Sequence, residues 1–220
     1  MDGETRLPGR ARVVIIGGGV VGTSVAYHLT KLGWSDVVLL EQGQLSSGTT
    51  WHAAGLVGQL RATEGGTRLV QYSAQLYADL EAETGLSAGY KQCGGLTVAR
   101  TPERMTQLRR TAATAAAFDM ECHLLSPAEA LEHYPVLAID DLAGAIWLPG
   151  DGKANPADVT ASLAKGARMR GARVFERVRV TGIVTEPGPR GSRRVSGVQT
   201  DCGDIEAEVV VNCAGQWAKA

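Results

Sequence analysis

This 220-residue chain has few aromatic residues, no cysteines at C-x-x-C spacing, no long apolar run and no strong net charge. Only 5% of the residues are aromatic, and the net charge is −1, so nothing electrostatic favours nucleic acid as a partner. No apolar run approaches the roughly 18 residues that a membrane-spanning helix needs, so no membrane association is expected. The first residues, M-D-G-E-T-R-L-P-G-R, lack an apolar signal core and include early acidic residues, so neither a secretory signal nor a transit peptide is expected.

The four cysteines are Cys93, Cys122, Cys202 and Cys213. No two of them have C-x-x-C spacing, which argues against a zinc site or a redox pair, so no metal is expected. A disulfide framework is also unexpected in a chain of this size, which fits a reducing compartment. We therefore expect a cytoplasmic protein, with the mitochondrial matrix as the alternative.

A βαβ unit is predicted near the amino terminus. The short β-branched run R-V-V-I-I at 12–16 indicates a buried strand, residues 20–32 a helix, and D-V-V-L-L at 36–40 a second buried strand. The apolar face of the helix is expected to carry Val21, Val25 and Leu29. Such a unit implies a parallel sheet covered by helices.

The rest of the chain is predicted to be mixed. Helices are expected at 67–84, at 102–118, from the capping box at Ser126, and from the start signal at Asn155 to about Arg170. Strands are expected at 94–99, 173–180, 195–200 and 207–212, with a turn at 187–192. The predicted fold class is α/β, a Rossmann-like domain with an inserted α+β region. Its parts are 1–66, the inserted 67–152, and the return to the first domain at 153–220.

A glycine motif follows the first strand. Gly17, Gly19 and Gly22 fit G-x-G-x-x-G, and Glu41 lies 19 residues after Gly22, at the end of the second strand. The first glycine permits a tight turn, the second lets a pyrophosphate lie on the backbone, and the third allows close helix packing. A carboxylate at this spacing binds ribose hydroxyls and favours FAD or NAD over NADP.

A second glycine turn, in V-V-V-N-C-A-G-Q-W-A at 209–218, also follows a strand. A return to the dinucleotide through Ala214 and Gly215 favours the two-motif arrangement of flavoproteins. An NAD-linked dehydrogenase is a third possibility, but it would need neither this turn nor the run S-S-G-T-T-W-H-A-A-G at 46–55, where Trp51 and His52 lie among small residues.

These motifs together resemble the sarcosine and dimethylglycine dehydrogenase family, within the D-amino-acid-oxidase-like (DAO-type) FAD oxidoreductases. The similarity is carried by V-V-I-I-G-G-G-V-V-G, L-L-E-Q-G, S-G-T-T-W-H-A-A-G-L, P-G-D-G-K-A-N-P and V-N-C-A-G-Q-W-A, and it spans nearly the whole chain. It implies FAD as the cofactor, bonded covalently to His52 through the 8α-methyl of the flavin. Histidine suits this bond because it is neutral and nucleophilic near pH 7.

The resemblance also implies lesser roles. Val180 matches a position whose backbone contacts adenine, and Arg61 is a candidate for binding the substrate carboxylate through its planar fork. The remaining residues expected to contact FAD are Gln42, Ser47, Thr49 and Thr50.

The implied reaction is oxidative demethylation of an N-methyl amino acid such as sarcosine or dimethylglycine. Electrons would pass to an electron-transfer flavoprotein or to oxygen, and tetrahydrofolate could bind in a further carboxyl-terminal region. Because family members are much longer, the chain resembles an amino-terminal fragment and is expected to be inactive alone. The alternative is a non-enzymatic relative of the regulatory subunit of pyruvate dehydrogenase phosphatase, in which the resemblance implies that the histidine is missing.

Overall fold

The computed structural model describes residues 6–219. Its helices are α1 (Val20–Lys31), α2 (Glu64–Thr84), α3 (Pro102–Ala117), α4 (Pro127–His133) and α5 (Pro156–Met169). Its strands are β1 (Arg10–Ile16), β2 (Val37–Glu41), β3 (Leu56–Val57), β4 (Lys91–Gln92), β5 (Gly95–Ala99), β6 (His123–Leu125), β7 (Gly144–Leu148), β8 (Gly152–Lys153), β9 (Arg173–Glu176), β10 (Val180–Pro187), β11 (Arg193–Thr200) and β12 (Ile205–Asn212). No helix within the described residues is long and apolar enough to cross a membrane.

The chain divides into two compact units. Unit 1 contains Met1–Ala54, Asp79–Ala88 and Asn155–Ala220, and unit 2 contains Gly55–Ala78 and Gly89–Ala154. The domain boundaries expected from the sequence, at 66/67 and 152/153, remain a prediction.

Unit 1 is built on a six-stranded sheet with the order β10-β11-β12-β1-β2-β9. Strands β12, β1, β2 and β9 are parallel, and β10, β11 and β12 pair as antiparallel neighbours. All five residues of β2 are buried, as expected of a strand covered on both faces. The predicted α/β class with a parallel sheet is confirmed.

Helix α1 has the predicted position, and the predicted apolar face of Val21, Val25 and Leu29 is not its most buried face. Val21 is 61% exposed, and the buried residues of the helix are Gly22, Thr23, Ala26, Tyr27 and Thr30. The small members of this set let the helix backbone approach its neighbours closely. Tyr27 packs against α5, where a methyl group built on Gly166 would lie 2.8 Å from the tyrosine ring. The spacing of the large apolar residues therefore does not identify the buried face of this helix.

The predicted strand at 173–180 is two strands. Strand β9 ends at Glu176, and Arg177 has a φ of 59°, which an extended strand does not accommodate. The backbone amides of Arg177 and Val178 instead bond to the carbonyls of Gly43 and Glu41. The predicted turn at 187–192 is confirmed, since it joins β10 to β11.

Unit 2 contains two three-stranded sheets, ordered β3-β8-β4 and β5-β7-β6. Helix α3 contributes Met105 and Leu108 to a core with Ala99, Ile146 and Leu148. The Ser126 capping box is confirmed: the Ser126 hydroxyl accepts the Glu129 amide, and the Glu129 carboxylate accepts the Ser126 amide. Strands β6 and β7 were not predicted from the sequence.

Candidate dinucleotide-binding site

Three parallel strands of unit 1 end at the same edge. Ile16, the last residue of β1, lies opposite Leu40 of β2 and Asn212 of β12. The Gly17 amide donates to the Leu40 carbonyl at 2.8 Å, and the Cys213 amide donates to the Ile16 carbonyl at 2.7 Å. The strand order of the sheet thus reverses at β1, with β2 and β9 on one side of it and β12 on the other. Ligands of open α/β sheets bind at this kind of switch point.

The first glycine turn crosses this edge under close steric limits. Gly17 has a φ of +105°, and a methyl group built on it would lie 2.5 Å from the Cys213 carbonyl oxygen. A methyl group on Gly22 would lie 1.9 Å from the Gly17 carbonyl oxygen. Gly19 is the N-cap of α1 and has no side chain with which to cap the helix, and no acidic residue lies in the first turn. The first turn of the helix therefore carries no side-chain anion of its own.

Glu41 has a buried carboxylate beside the glycine turn. The residue is 9% exposed, and one carboxylate oxygen accepts the Gly18 amide at 2.6 Å while the other accepts the Gly43 amide at 2.8 Å. These two bonds fix the orientation of the carboxylate and leave lone pairs for further donors. The arrangement suits the binding of a ribose diol.

The turn that carries His52 is attached to the amino terminus of α1. Residues Thr50–His52 form a 3₁₀ turn, and the Thr50 hydroxyl accepts the Val20 amide at 3.0 Å. A methyl group built on Gly19 would lie 2.9 Å from the same hydroxyl oxygen. One hydrogen bond thus joins the glycine turn and the histidine turn, two segments that the sequence separates by about 30 residues.

Trp51 and His52 are exposed neighbours whose rings lie in tilted contact. The ring centroids are 3.9 Å apart and the planes are inclined by 34°. Trp51 is 57% exposed. No hydrogen bond to either His52 ring nitrogen occurs within residues 6–219, so the imidazole edge is available to a ligand.

The second glycine turn lies directly against the first. Gly215 has a φ of 59° and begins a 3₁₀ turn, and the Ala214 amide donates to Asn212 Oδ1 at 3.1 Å. Burial raises the pKa of the Cys213 thiol, so this cysteine is a neutral packing residue and no nucleophile near pH 7.

The other expected FAD contacts are the exposed Gln42, Ser47 and Thr49 and the half-buried Val180, which packs on the core of the six-stranded sheet.

These residues fit a flavin dinucleotide. The backbone at Gly17 and Gly22 leaves no room for a side chain, the start of α1 is open to an anion, and Glu41 is a fixed acceptor at the end of β2. The exposed imidazole of His52 follows on a turn fastened to the same helix. Together they offer a phosphate site, a ribose acceptor and a nucleophilic nitrogen.

Arg61, the candidate for binding the substrate carboxylate, belongs to unit 2. It lines a cleft of about 360 Å³ with Leu60, Thr111 and Thr114, and its guanidinium donates to the Leu60 carbonyl at 2.8 Å. A methyl group built on Gly58 would lie 3.9 Å from this guanidinium.

Asp151, which was not among the residues expected at a site, makes a contact that the sequence did not predict. Its carboxylate accepts the Gln59 amide at 2.7 Å and crowds Gly95, where a methyl group would lie 2.5 Å from the carboxylate. Burial raises the pKa of Asp151, although the Gln59 bond and the charge of Arg61 oppose the shift. The same segment contains a helix cap, since Asn155 Oδ1 accepts the Ala157 amide at 3.0 Å. No local pattern indicates a contact across 92 residues of sequence.

A larger concave surface, of about 890 Å³, lies on β10–β12 and carries no such chemistry. Four of its charged side chains are paired with one another, Arg194 with Glu186 and Arg10 with Glu208. It is also separate from the strand ends at which the glycine turns meet. We therefore place the candidate site at the strand ends.

The switch-point edge, the two glycine turns and the fixed acidic residue define a dinucleotide-binding protein of the flavoprotein class. The chain belongs to the family of FAD-dependent oxidoreductases (DAO), which it matches over residues 12–220. The predicted FAD cofactor and DAO-type fold are confirmed at this level.

Two sequence relatives and one solved structure show how similar the chain is to individual proteins. The chain is 46% identical to human mitochondrial sarcosine dehydrogenase over 215 residues, which cover 97% of this chain and 23% of that protein. It is 41% identical over 212 residues to the mouse mitochondrial pyruvate dehydrogenase phosphatase regulatory subunit, covering 96% and 24%. The structure of L-proline dehydrogenase from P. horikoshii matches with a TM-score of 0.88 and 32% identity, covering 96% of this chain and 55% of that one. The chain therefore spans about a quarter of the length of these two sequence relatives.

Proposed function

We propose that this chain is the FAD-binding part of an enzyme that oxidatively demethylates an N-methyl amino acid such as sarcosine or dimethylglycine. The observation that carries the proposal is the meeting of Gly17, Glu41 and Ala214 at one sheet edge, with His52 on a turn bonded to the same helix. The identity to sarcosine dehydrogenase supports the substrate class.

In this proposal each residue contributes by binding or orientation. The first turn of α1 holds the pyrophosphate, and Glu41 accepts the ribose hydroxyls. Bound FAD supplies a two-electron oxidant for the carbon–nitrogen bond of the substrate. Arg61 is the candidate for the substrate carboxylate, because its planar fork can donate two parallel hydrogen bonds.

His52 is proposed as the covalent attachment point of FAD. The bond would join an imidazole nitrogen to the 8α carbon with loss of one proton from each partner, and molecular oxygen would take up the two electrons and two protons to give hydrogen peroxide. The exposed ring with two unengaged nitrogens supports this role, because a nitrogen that accepts no hydrogen bond keeps its lone pair available for the new bond.

Further parts of the proposal rest on the family resemblance. The electron acceptor is an electron-transfer flavoprotein or oxygen, and tetrahydrofolate binding would require a region outside this chain. The mitochondrial relatives favour the matrix as compartment over the bacterial cytoplasm.

The covalent bond is tested by acid precipitation of the full-length protein. We expect the flavin to stay with the precipitated wild-type polypeptide and to be released entirely from His52→Ala. His123→Ala is the matched control, since His123 is an exposed histidine paired with Glu121 at 2.8 Å. Flavin freed by acid from the wild type would refute the covalent bond and leave FAD binding standing.

The regulatory alternative rests on the 41% identity to the phosphatase subunit, which is lower than the 46% identity to sarcosine dehydrogenase. Anaerobic mixing with sarcosine or dimethylglycine separates the two functions, because an enzyme must bleach its flavin absorbance. A protein that binds FAD but keeps its absorbance with every N-methyl amino acid tested would support the regulatory function. Glycine, which lacks the methyl group, serves as the control substrate.

A further inference from the structure

Trp51 has no packing role that explains its position. It is 57% exposed, and neither of the two hydrophobic core clusters described for residues 6–219 includes it. An aromatic pair contributes through its ring geometry in addition to the area that it buries. The contact that the structure gives Trp51 is the stack on His52, with centroids 3.9 Å apart.

The backbone beneath the two rings is well fixed. The Thr50 hydroxyl accepts the Val20 amide at 3.0 Å, the His52 amide donates to the Thr49 carbonyl at 3.2 Å, and the Ala53 amide donates to the Thr50 carbonyl at 3.1 Å. These bonds hold the main chain of the turn but not the torsions of the His52 side chain. The ring must be oriented by something else.

A histidine that reacts through one ring nitrogen is commonly oriented by a hydrogen bond to the other. His52 has no such bond within the described part of the chain. The indole of Trp51 lies against the imidazole instead, with ring centroids 3.9 Å apart and planes inclined by 34°, and no hydrogen bond in the described part of the chain engages either ring nitrogen. Stacking of this kind restricts the rotamers of the ring without engaging the atom that would react.

We propose that Trp51 is a positioning residue for His52, holding the imidazole by its face so that a ring nitrogen remains free to bond the flavin. This inference rests on the proposed covalent attachment and adds the means by which the nucleophile is oriented. An aromatic stack of ordinary strength changes the population of one ring orientation by about 2- to 10-fold. The rate of covalent attachment should depend on Trp51 by the same factor.

The experiment separates FAD binding from covalent attachment. Full-length apoprotein is mixed with FAD, binding is followed by quenching of flavin fluorescence, and acid-stable flavin is counted over time. We expect Trp51→Ala and Trp51→Leu to bind FAD with a Kd within about 2-fold of wild type but to attach it about 2- to 10-fold more slowly. Trp51→Phe keeps an aromatic face and should attach FAD at nearly the wild-type rate.

Trp34→Ala is the matched control, because Trp34 stacks under Arg12 at 4.3 Å rather than on a histidine. Its attachment rate should equal that of the wild type. The comparison of leucine with phenylalanine at position 51 decides the question even if the alanine variant fails to fold, because both substitutions keep apolar bulk.

Three results would overturn the inference. Attachment at the wild-type rate in Trp51→Leu would show that the stack is irrelevant. A parallel loss of FAD affinity and attachment would make Trp51 a general support of the site rather than a positioning residue. A wild-type protein that binds FAD but never attaches it would overturn the covalent bond itself, and the positioning role with it.

Discussion

The Glu83 carboxylate should stabilise unit 1 in a pH-dependent way. It accepts a hydrogen bond from the Tyr27 hydroxyl at 2.7 Å and pairs with Arg170, while Lys31 donates to the tyrosine oxygen at 3.1 Å. The cationic groups of Arg170 and Lys31 also lie 5.1 Å and 5.2 Å from the centre of the Tyr27 ring. These contacts tie α1, the end of α2 and the end of α5 together.

The magnitude follows from what Glu83→Gln removes. The amide oxygen can still accept from Tyr27, but the charge that strengthens this bond and pairs with Arg170 is lost. Hydrogen bonds to charged groups contribute about 1.5–3 kcal/mol. The Glu83 side chain is 26% exposed, so we expect solvent to reduce the loss to about 1–2 kcal/mol. For a chain of this length that corresponds to a fall in Tm of about 2–8 °C.

The pH dependence has a definite sign. Burial raises the pKa of Glu83, but the hydrogen bonds from Tyr27 and Arg170 and the charges of Arg170 and Lys31 outweigh it, so the pKa lies below its ordinary value of 4.5. A carboxyl whose pKa is lowered by folding contributes stability above its unfolded pKa and loses it as the pH falls through the folded pKa. The difference between wild type and Glu83→Gln should therefore be full at pH 7 and shrink below about pH 4.5.

Urea unfolding of both proteins at pH 7 and at about pH 3.5 measures this difference. Glu81→Gln is the control, because Glu81 is an exposed carboxylate on the same helix, and it should change the free energy of unfolding by less than about 0.5 kcal/mol. The reasoning fails if Glu83→Gln is as harmless as Glu81→Gln at pH 7, or if its cost does not fall with pH.

Two further predictions concern close backbone contacts and a buried carboxylate. Gly22→Ala should lower the free energy of unfolding by more than about 2 kcal/mol, because its methyl group would lie 1.9 Å from the Gly17 carbonyl oxygen. In Gly65→Ala the methyl group meets no atom within 4 Å, so this variant should raise the Tm slightly. Similar Tm values for the two variants would contradict this. Asp151→Ala should cost about 1–2 kcal/mol by leaving the Gln59 amide without its acceptor, while Asp151→Asn keeps an acceptor and should stay within about 0.5 kcal/mol of wild type. Burial raises the pKa of Asp151 above its ordinary value of 3.8, so wild type should lose stability relative to Asp151→Asn as the pH rises through the folded pKa. A stability difference between wild type and Asp151→Asn that is the same at every pH would refute this.

Local sequence patterns predicted the elements whose signals are local. The β-branched runs became β1 and β2, the glycine motif became a strand-to-helix turn, and the capping box at Ser126 formed as expected. Each of these depends on residues within a few positions of one another. The two glycine turns could be expected to meet because parallel strands present their carboxyl ends at one edge of a sheet.

Patterns of hydrophobicity were less informative for faces and strand ends. The apolar stripe of Val21, Val25 and Leu29 was not the buried face of α1, because small residues on the other face allow closer packing. The break after Glu176 depends on a positive φ at Arg177, a residue type that gives no warning of it.

The sequence by itself determined the class of protein: a βαβ unit, a glycine turn, an acidic residue at the end of β2, and a Trp-His pair among small residues. Only the tertiary structure decided which groups act on one another. It placed the Thr50 hydroxyl on the amide of Val20, joined Tyr27 to Glu83 across 56 residues, and brought Asp151 to Gln59 across 92. The physical reason is that a hydrogen bond needs two atoms within about 3 Å, and the folded chain sets that distance for residues that are remote in sequence.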